Sequence, residues 1–135
     1  MPPRQPGQFE YWAKRKEELE RRTALPTFLP GEVWRCALGI NIGSESDGKG
    51  QLCWRPVLIL KRLDKTSFVG VPLSTSGPAR TSFRKLPITL KGVTRFALVT
   101  QFRTLDARRL LQPMGQLEEA QLAMVRQTIQ TLLEK

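Results

Sequence analysis

The sequence predicts a mainly β fold: a small, strongly bent antiparallel barrel with a C-terminal helix and an N-terminal helical extension. Three observations predict it. Between residues 31 and 116 the chain breaks into five or six short strand-like segments with tight connections. After them, Leu122, Val125, Ile129, Leu132 and Leu133 recur at helical spacing. Before them lies a Glu-, Lys- and Arg-rich stretch set off by Pro26 and Pro30. A chain of 135 residues suits one domain with one modest core.

Residues 1–7 are rich in proline and glycine and carry no helix or strand signal. Gln8 to Arg22 is predicted as a helix, with Glu10 and Lys14, and Glu17 and Arg21, paired at i,i+4. Its apolar stripe, Phe9, Trp12, Ala13 and Leu19, is narrow. Such a stripe suits docking on the main domain, a solvated extension, or packing on a partner or nucleic acid. The change of pattern near Leu29 divides the chain into a helical extension and linker, 1–29, and a main domain, 30–135. Glu32 to Ile40 alternates imperfectly, as a strand does. Trp54 to Lys61 is a second strand, whose run Val57-Leu58-Ile59-Leu60 suits burial on both faces. A turn at 62–65 leads into a third strand, Thr66 to Leu73, so the second and third strands form a hairpin.

Ser74 to Ser82 is a loop of small residues with Gly77 and Pro78. Arg84 to Leu90 and Phe96 to Phe102 are two further strands joined around Lys91-Gly92. Leu105 to Arg108 is predicted as one helical turn, and Leu110 to Gly115 as a short closing strand. Glu118 to Leu133 is an amphipathic helix placed to cover an open side of the barrel, with Glu118 and Glu119 at its dipole-favoured start.

Composition narrows the chemistry. No apolar run approaches the roughly 18 residues that span a bilayer. The opening MPPRQPGQFEYW has no signal-peptide core, so a cytoplasmic location is expected. Cys36 and Cys53 lack metal-ligand spacing and are expected to be reduced. The chain has no histidine, so no zinc site is expected, nor any other metal or cofactor. The same lack removes the usual general base near neutral pH. Catalysis would fall to carboxylates, arginine, lysine, hydroxyls or cysteine.

The net charge of +10 favours a polyanionic partner, nucleic acid first or an acidic protein segment. Residues 80–109 hold eight basic side chains and one acid, Asp106, and so contribute +7 of that total.

One stretch stands out, Asn41 to Leu60. Its first half is a polar loop with Gly43, Gly48 and Gly50, the carboxylates Glu45 and Asp47, and Lys49. Glycines there permit close backbone approach, although an ordinary solvated turn has the same composition. The loop lacks the G-x-x-x-x-G-K-[ST] pattern of a nucleotide phosphate loop. Arg55 sits where the loop becomes a strand, a place for a guanidinium to hold a phosphate. Ser74-Thr75-Ser76 end the third strand, either as turn caps or as hydroxyls for a site. Antiparallel pairing puts Arg55 and Ser74 at the same end of the hairpin. In the fifth strand, Gln101 and Arg103 share one face by period two, Phe102 and Leu105 are core candidates, and Asp106 caps the following turn.

At these residues the sequence resembles the MazF/PemK family of toxins from type II toxin–antitoxin pairs. Gly31-Glu32-Val33-Trp34 is similar to the family's opening motif. Gly43-Ser44-Glu45 followed by Arg55-Pro56-Val57-Leu58-Ile59, then Val71-Pro72-Leu73-Ser74, resemble its next two motifs in order. Gln101-Phe102-Arg103-Thr104-Leu105-Asp106 with Arg109-Leu110 resembles the fourth, and the likeness runs from about Gly31 to Leu133.

The resemblance implies an SH3-like barrel of the MazF/PemK/CcdB type, a homodimer, and a cognate acidic antitoxin. It implies a metal-independent endoribonuclease, an mRNA interferase that cuts single-stranded RNA. Attack of the ribose 2′-OH on the adjacent phosphate would leave a 2′,3′-cyclic phosphate and a 5′-OH. By motif, Arg55 would stabilise the phosphorane and is a candidate to protonate the leaving oxygen. Ser74 corresponds to the hydroxyl that positions the phosphate, with Thr75 as the neighbour if the register slips by one. Glu45 is the acidic loop residue, a candidate base. Lys49, Arg80, Arg84, Gln101 and Arg103 would support or bind RNA. Some PemK-type members carry a catalytic Asp where this chain has Thr100, so an arginine–hydroxyl arrangement is expected. A non-catalytic RNA-binding module or a gyrase-poisoning toxin on the same fold is the alternative.

Overall fold

A computed structural model of the chain describes residues 8–39, 54–75 and 85–134. The predicted first helix is α1, Gln8–Glu20. Seven strands follow: β1 (Glu32–Ala37), β2 (Trp54–Arg62), β3 (Ser67–Ser74), β4 (Lys85–Leu90), β5 (Val93–Leu98), β6 (Arg103–Asp106) and β7 (Leu110–Gln116). The C-terminal helix α2 spans Glu119–Leu133. The strands are antiparallel neighbours in the order β4-β5-β3-β2-β1-β7, with β6 beside β3. β3 is therefore shared: Ser67 to Gly70 pair with β6, while Leu73 and Ser74 pair with β5. One strand feeding two partners on the same side bends the sheet, and a bulge in β2 at Ile59–Lys61 adds to the bend.

The apolar run in β2 is buried on both faces, as its composition predicts. Leu58 and Leu60 join Val33, Val71, Leu73, Ala97 and the inner face of α2 (Leu122, Val125, Ile129) in one core. Val57 and Ile59 point the other way, into a second core with Phe28, Trp34, Cys36, Phe68, Leu105 and Leu110. α2 is held by polar contacts as well. Both Arg126 Nε and Nη2 donate to the Leu60 carbonyl at 3.2 and 2.6 Å. The Gln121 amide donates to the Thr89 carbonyl and accepts from the Thr89 N–H, at 3.1 and 2.7 Å. That side chain pairs with β4 as a neighbouring strand would, which blunts an otherwise open sheet edge.

Two parts of the strand prediction need correction. The predicted strand Phe96 to Phe102 ends at Leu98 and starts earlier, at Val93. Lys91 and Gly92 both have positive φ, 51° and 77°, which lets a two-residue turn join β4 directly to β5. Val99–Gln101 then forms a turn of 3-10 helix. The chain resumes as β6 at Arg103, so the turn predicted at 105–108 is displaced to Ala107–Arg109. Gln101 and Arg103 consequently do not share a strand face: a helical turn separates them, and period two does not carry across it. Asp106 does cap the displaced turn, accepting from the Arg108 N–H at 2.8 Å.

α1 docks on the barrel. Leu19 is buried, Arg22 Nη1 donates to the carbonyls of Arg108 and Leu110, and Arg108 Nη1 donates to the Glu20 carbonyl. The Trp12 ring lies over Gly39, whose φ is +75° and whose missing Cβ would fall inside the indole. Gly39→Ala is therefore expected to destabilise the protein by about 1–3 kcal/mol through the left-handed backbone alone. It should also lift α1, seen as faster tryptic cleavage at Lys14 and Lys16. Unaltered cleavage at those sites would mean that Trp12 does not hold the helix.

Candidate active site

Arg55 lies at the start of β2, opposite Cys36 of β1. By alternation it shares a strand face with Val57 and Ile59. β2 pairs with β3 in a register that sets Val57 opposite Pro72 and Leu58 opposite Val71. The same register carried two residues further brings Arg55 level with Ser74, as hairpin geometry predicts. Arg55 Nη1 donates to the Leu73 carbonyl at 3.2 Å, which ties the guanidinium to the end of β3. Ser74 is half-buried and Thr75 exposed beside it. All three line one pocket of about 200 Å³, together with Trp54, Pro56, Leu73 and Arg95.

Among the described residues the lining contains two guanidinium groups and two hydroxyls and no carboxylate. Such a set favours an anion with several acceptor oxygens, because the charge and the donors are in place before it arrives. The other sequence-predicted residues divide into two groups. Gln101, in the 3-10 turn, and Arg103, opposite Gly70 on β6, do not line this pocket. Arg103 lies instead within electrostatic reach of Cys36 and Arg109. Glu45, Lys49, Arg80 and Arg84 fall outside the described residues, as does Cys53.

Neighbouring titratable groups have structural work. Burial pushes the Cys36 thiol up to about 12, against the pull of Arg109 and Arg103. A neutral, fully buried thiol is not a nucleophile, so Cys36 leaves the list of catalytic candidates. Asp106 is held below the usual carboxylate range, first by its hydrogen bonds from the Arg108 side chain. Nε reaches Oδ1 and Nη2 reaches Oδ2, each at 2.9 Å, a bidentate pair that fixes the corner between β6 and β7. Burial lowers the Arg109 pKa; its Nη1 donates to the Ala37 carbonyl at 3.0 Å, which anchors the end of β1.

Sequence reasoning missed Trp54 and Arg95 as pocket residues. Arg95 was visible only as one charge in a basic stretch. Its place depends on β5 docking beside Ser74, through the pairing of Ser74 with Phe96. No local periodicity encodes that long-range pairing. Trp54 was read as the first residue of a strand, and its closeness to the Arg55 motif was the available signal.

Fold and pocket together define a small basic β-barrel with an arginine–hydroxyl site at a strand edge. Residues 29–133 match the family model of PemK-like, MazF-like toxins of type II toxin–antitoxin systems. The chain belongs to that family. Nothing among the curated proteins matches it. Solved structures with the same fold include an endoribonuclease in complex with its cognate antitoxin from a mycobacterial species, at 21% identity and a TM-score of 0.61, covering 80% of this chain and 96% of that one. MazF from Deinococcus radiodurans is similar at 19% identity and a TM-score of 0.62, over 84% of this chain and 100% of that one. A MazE–MazF structure from the same organism aligns at 17% identity and a TM-score of 0.56, covering 83% and 98%. Among the described residues, no helix is long and apolar enough to cross a membrane.

Proposed function

We propose that this toxin is a metal-independent endoribonuclease acting on single-stranded RNA. The observation that carries the reading is the convergence of Arg55, Ser74 and Thr75 in one basic pocket. The likeness to MazF structures supports it. The nucleophile is supplied by the substrate: the ribose 2′-oxygen attacks the adjacent phosphorus as its proton passes to a base. Glu45 is the candidate for that base. The P–O5′ bond then breaks and the leaving 5′-oxygen takes up a proton from water, leaving a 2′,3′-cyclic phosphate on one fragment and a 5′-OH on the other. Arg55 stabilises the extra negative charge of the phosphorane, and Ser74 and Thr75 hold the phosphate in line. A guanidinium keeps its proton at any physiological pH, so electrostatic stabilisation is its main contribution.

The same reading makes the protein a cytoplasmic homodimer whose basic surface is occupied by an acidic antitoxin when RNA is absent. Residues 30–135 carry the activity, and residues 1–29 are an extension outside the ribonuclease machinery. The test is cleavage of a long single-stranded RNA in excess EDTA, with end analysis of the products. Cyclic phosphate and 5′-hydroxyl ends, formed at an undiminished rate with chelator, are expected. RNA that is bound but never cut would replace this reading by that of a non-catalytic binder.

A further inference from the structure

Two side chains of the Arg55 pocket have no part in the motif that carries the ribonuclease reading: Trp54 and Arg95. Trp54 precedes Arg55 in β2, only one strand residue away, about 3.3 Å along the chain. Its ring is braced from β1, where Arg35 lies with its guanidinium carbon 4.1 Å from the ring centroid. Arg35 is not part of the pocket wall, so the indole is fixed by a group other than any ligand. A ring already held in place loses little freedom when a base stacks on it. Arg95 comes from β5, whose next residue, Phe96, pairs with Ser74. Among the described residues the buried Arg95 Nε has no hydrogen-bond partner, a state it shares with Arg15 and Arg35 Nε. A buried donor left unmatched in the protein gains from an acceptor brought by a ligand.

We propose that Trp54 and Arg95 form the seat for the nucleotide next to the scissile phosphate, with its base stacked on the indole and its phosphate or base edge accepting from Arg95. The proposal rests on the ribonuclease reading of Arg55 and adds to it the group that grips the flanking nucleotide. Three features favour a nucleotide. The described wall combines one aromatic side chain with two cations and two hydroxyls. A volume of about 200 Å³ takes one base or phosphate group and not a folded segment. Stacking is sequence-tolerant, because every base has a π-face, so the seat would position RNA without dictating the base by hydrogen bonds. An acidic protein segment would use the guanidinium groups and leave the indole unused.

The experiment uses the full chain and a single-stranded RNA with every 2′-OH methylated, which can bind but cannot supply the nucleophile. Binding is followed by tryptophan fluorescence and, independently, by anisotropy of a labelled RNA. Trp54→Ala is expected to weaken binding about 5- to 150-fold, the worth of one stacked base. Trp54→Phe should restore most of that affinity and abolish the quench of Trp54, since an aromatic ring remains while only Trp12 and Trp34 still emit. Arg95→Gln should weaken binding and flatten its dependence on salt, as one phosphate contact is lost. With cleavable RNA, both losses should appear in KM more than in kcat.

A quench that persists in Trp54→Phe, or affinity unchanged in Trp54→Ala and Arg95→Gln, overturns the seat. Equal sensitivity of a glutamate-rich peptide to Trp54→Ala also overturns it, by assigning the surface to a protein segment. Cleavage assays keep the two readings apart. If the wild type cuts and Arg55→Ala does not while Trp54→Ala binds normally, the seat alone fails. If the wild type binds through Trp54 but never cuts, the ribonuclease reading fails.

Discussion

Replacing Arg55 by alanine is expected to lower single-turnover RNA cleavage by about 10²–10³-fold or more while the barrel stays folded. The chemistry sets the first half of that expectation. In-line attack by the 2′-oxygen adds negative charge to a phosphate that already carries one, and the pocket offers two guanidinium groups to meet it. Of the two, Arg55 is the one tied to the Ser74 end of β3, through the Leu73 carbonyl at 3.2 Å. The structure sets the second half. Arg55 is only half-buried, whereas the core beneath it is built by Val57, Ile59 and Cys36. Loss of a side-chain hydrogen bond such as the one from Arg55 to the Leu73 carbonyl is worth about 1 kcal/mol. Arg55→Lys is the sharper companion: it keeps the charge and loses the planar fork, so it should recover only part of the rate. Rates are read on 5′-labelled RNA, and folding by thermal unfolding of the same preparations. Full activity in Arg55→Ala would remove the arginine from the chemistry; a collapsed melting transition would show that its role is structural.

How far this site was legible follows from which contacts are local. The Arg55 and Ser74 pairing was readable because both lie on one hairpin, and a short turn fixes which residues face each other. The burial of β2 on both faces was readable from four consecutive apolar residues. The α2 helix was readable from its spacing, and the Asp106 cap from its position before a polar turn. Arg95 was hidden because β5 reaches Ser74 across a long connection, and sequence patterns carry no record of which strand pairs with which. The strand predicted through Phe102 failed for a related reason. Val99 is fully buried and Phe102 packs on the same core, so their hydrophobicity mimics strand alternation. Only the need to turn from β5 to β6, both neighbours of β3, makes that segment helical. The docking of α1 was left open in the sequence because its stripe is narrow. Part of the attachment comes from Arg22 and Arg108 reaching backbone carbonyls, contacts that hydrophobic periodicity cannot register.

Phe28 is where the extension and the barrel become one body, and Phe28→Ala is expected to destabilise the protein by about 3–5 kcal/mol. The side chain is 1% exposed, among the largest fully buried groups of the described residues. Its ring meets Phe68 at 5.4 Å between centroids and 58° between planes, a tilted pair that adds to simple burial. The Arg62 guanidinium carbon lies 5.4 Å from the same ring. Around it stand Trp34, Ile59, Leu105 and Leu110, from four different strands, so no single shift can fill the space that alanine would leave. Yet Phe28 lies one residue before the stretch that matches the family, and inside the extension that composition places at 1–29. A chain begun at residue 30 would therefore lack part of the second core. The melting temperature of Phe28→Ala should fall by at least about 10 °C. Leu29→Ala is the control, since Leu29 is 54% exposed and should change stability by no more than about 0.5 kcal/mol. Equal shifts for the two variants would mean that the aromatic ring is not part of the folded core and that the barrel begins later than Phe28.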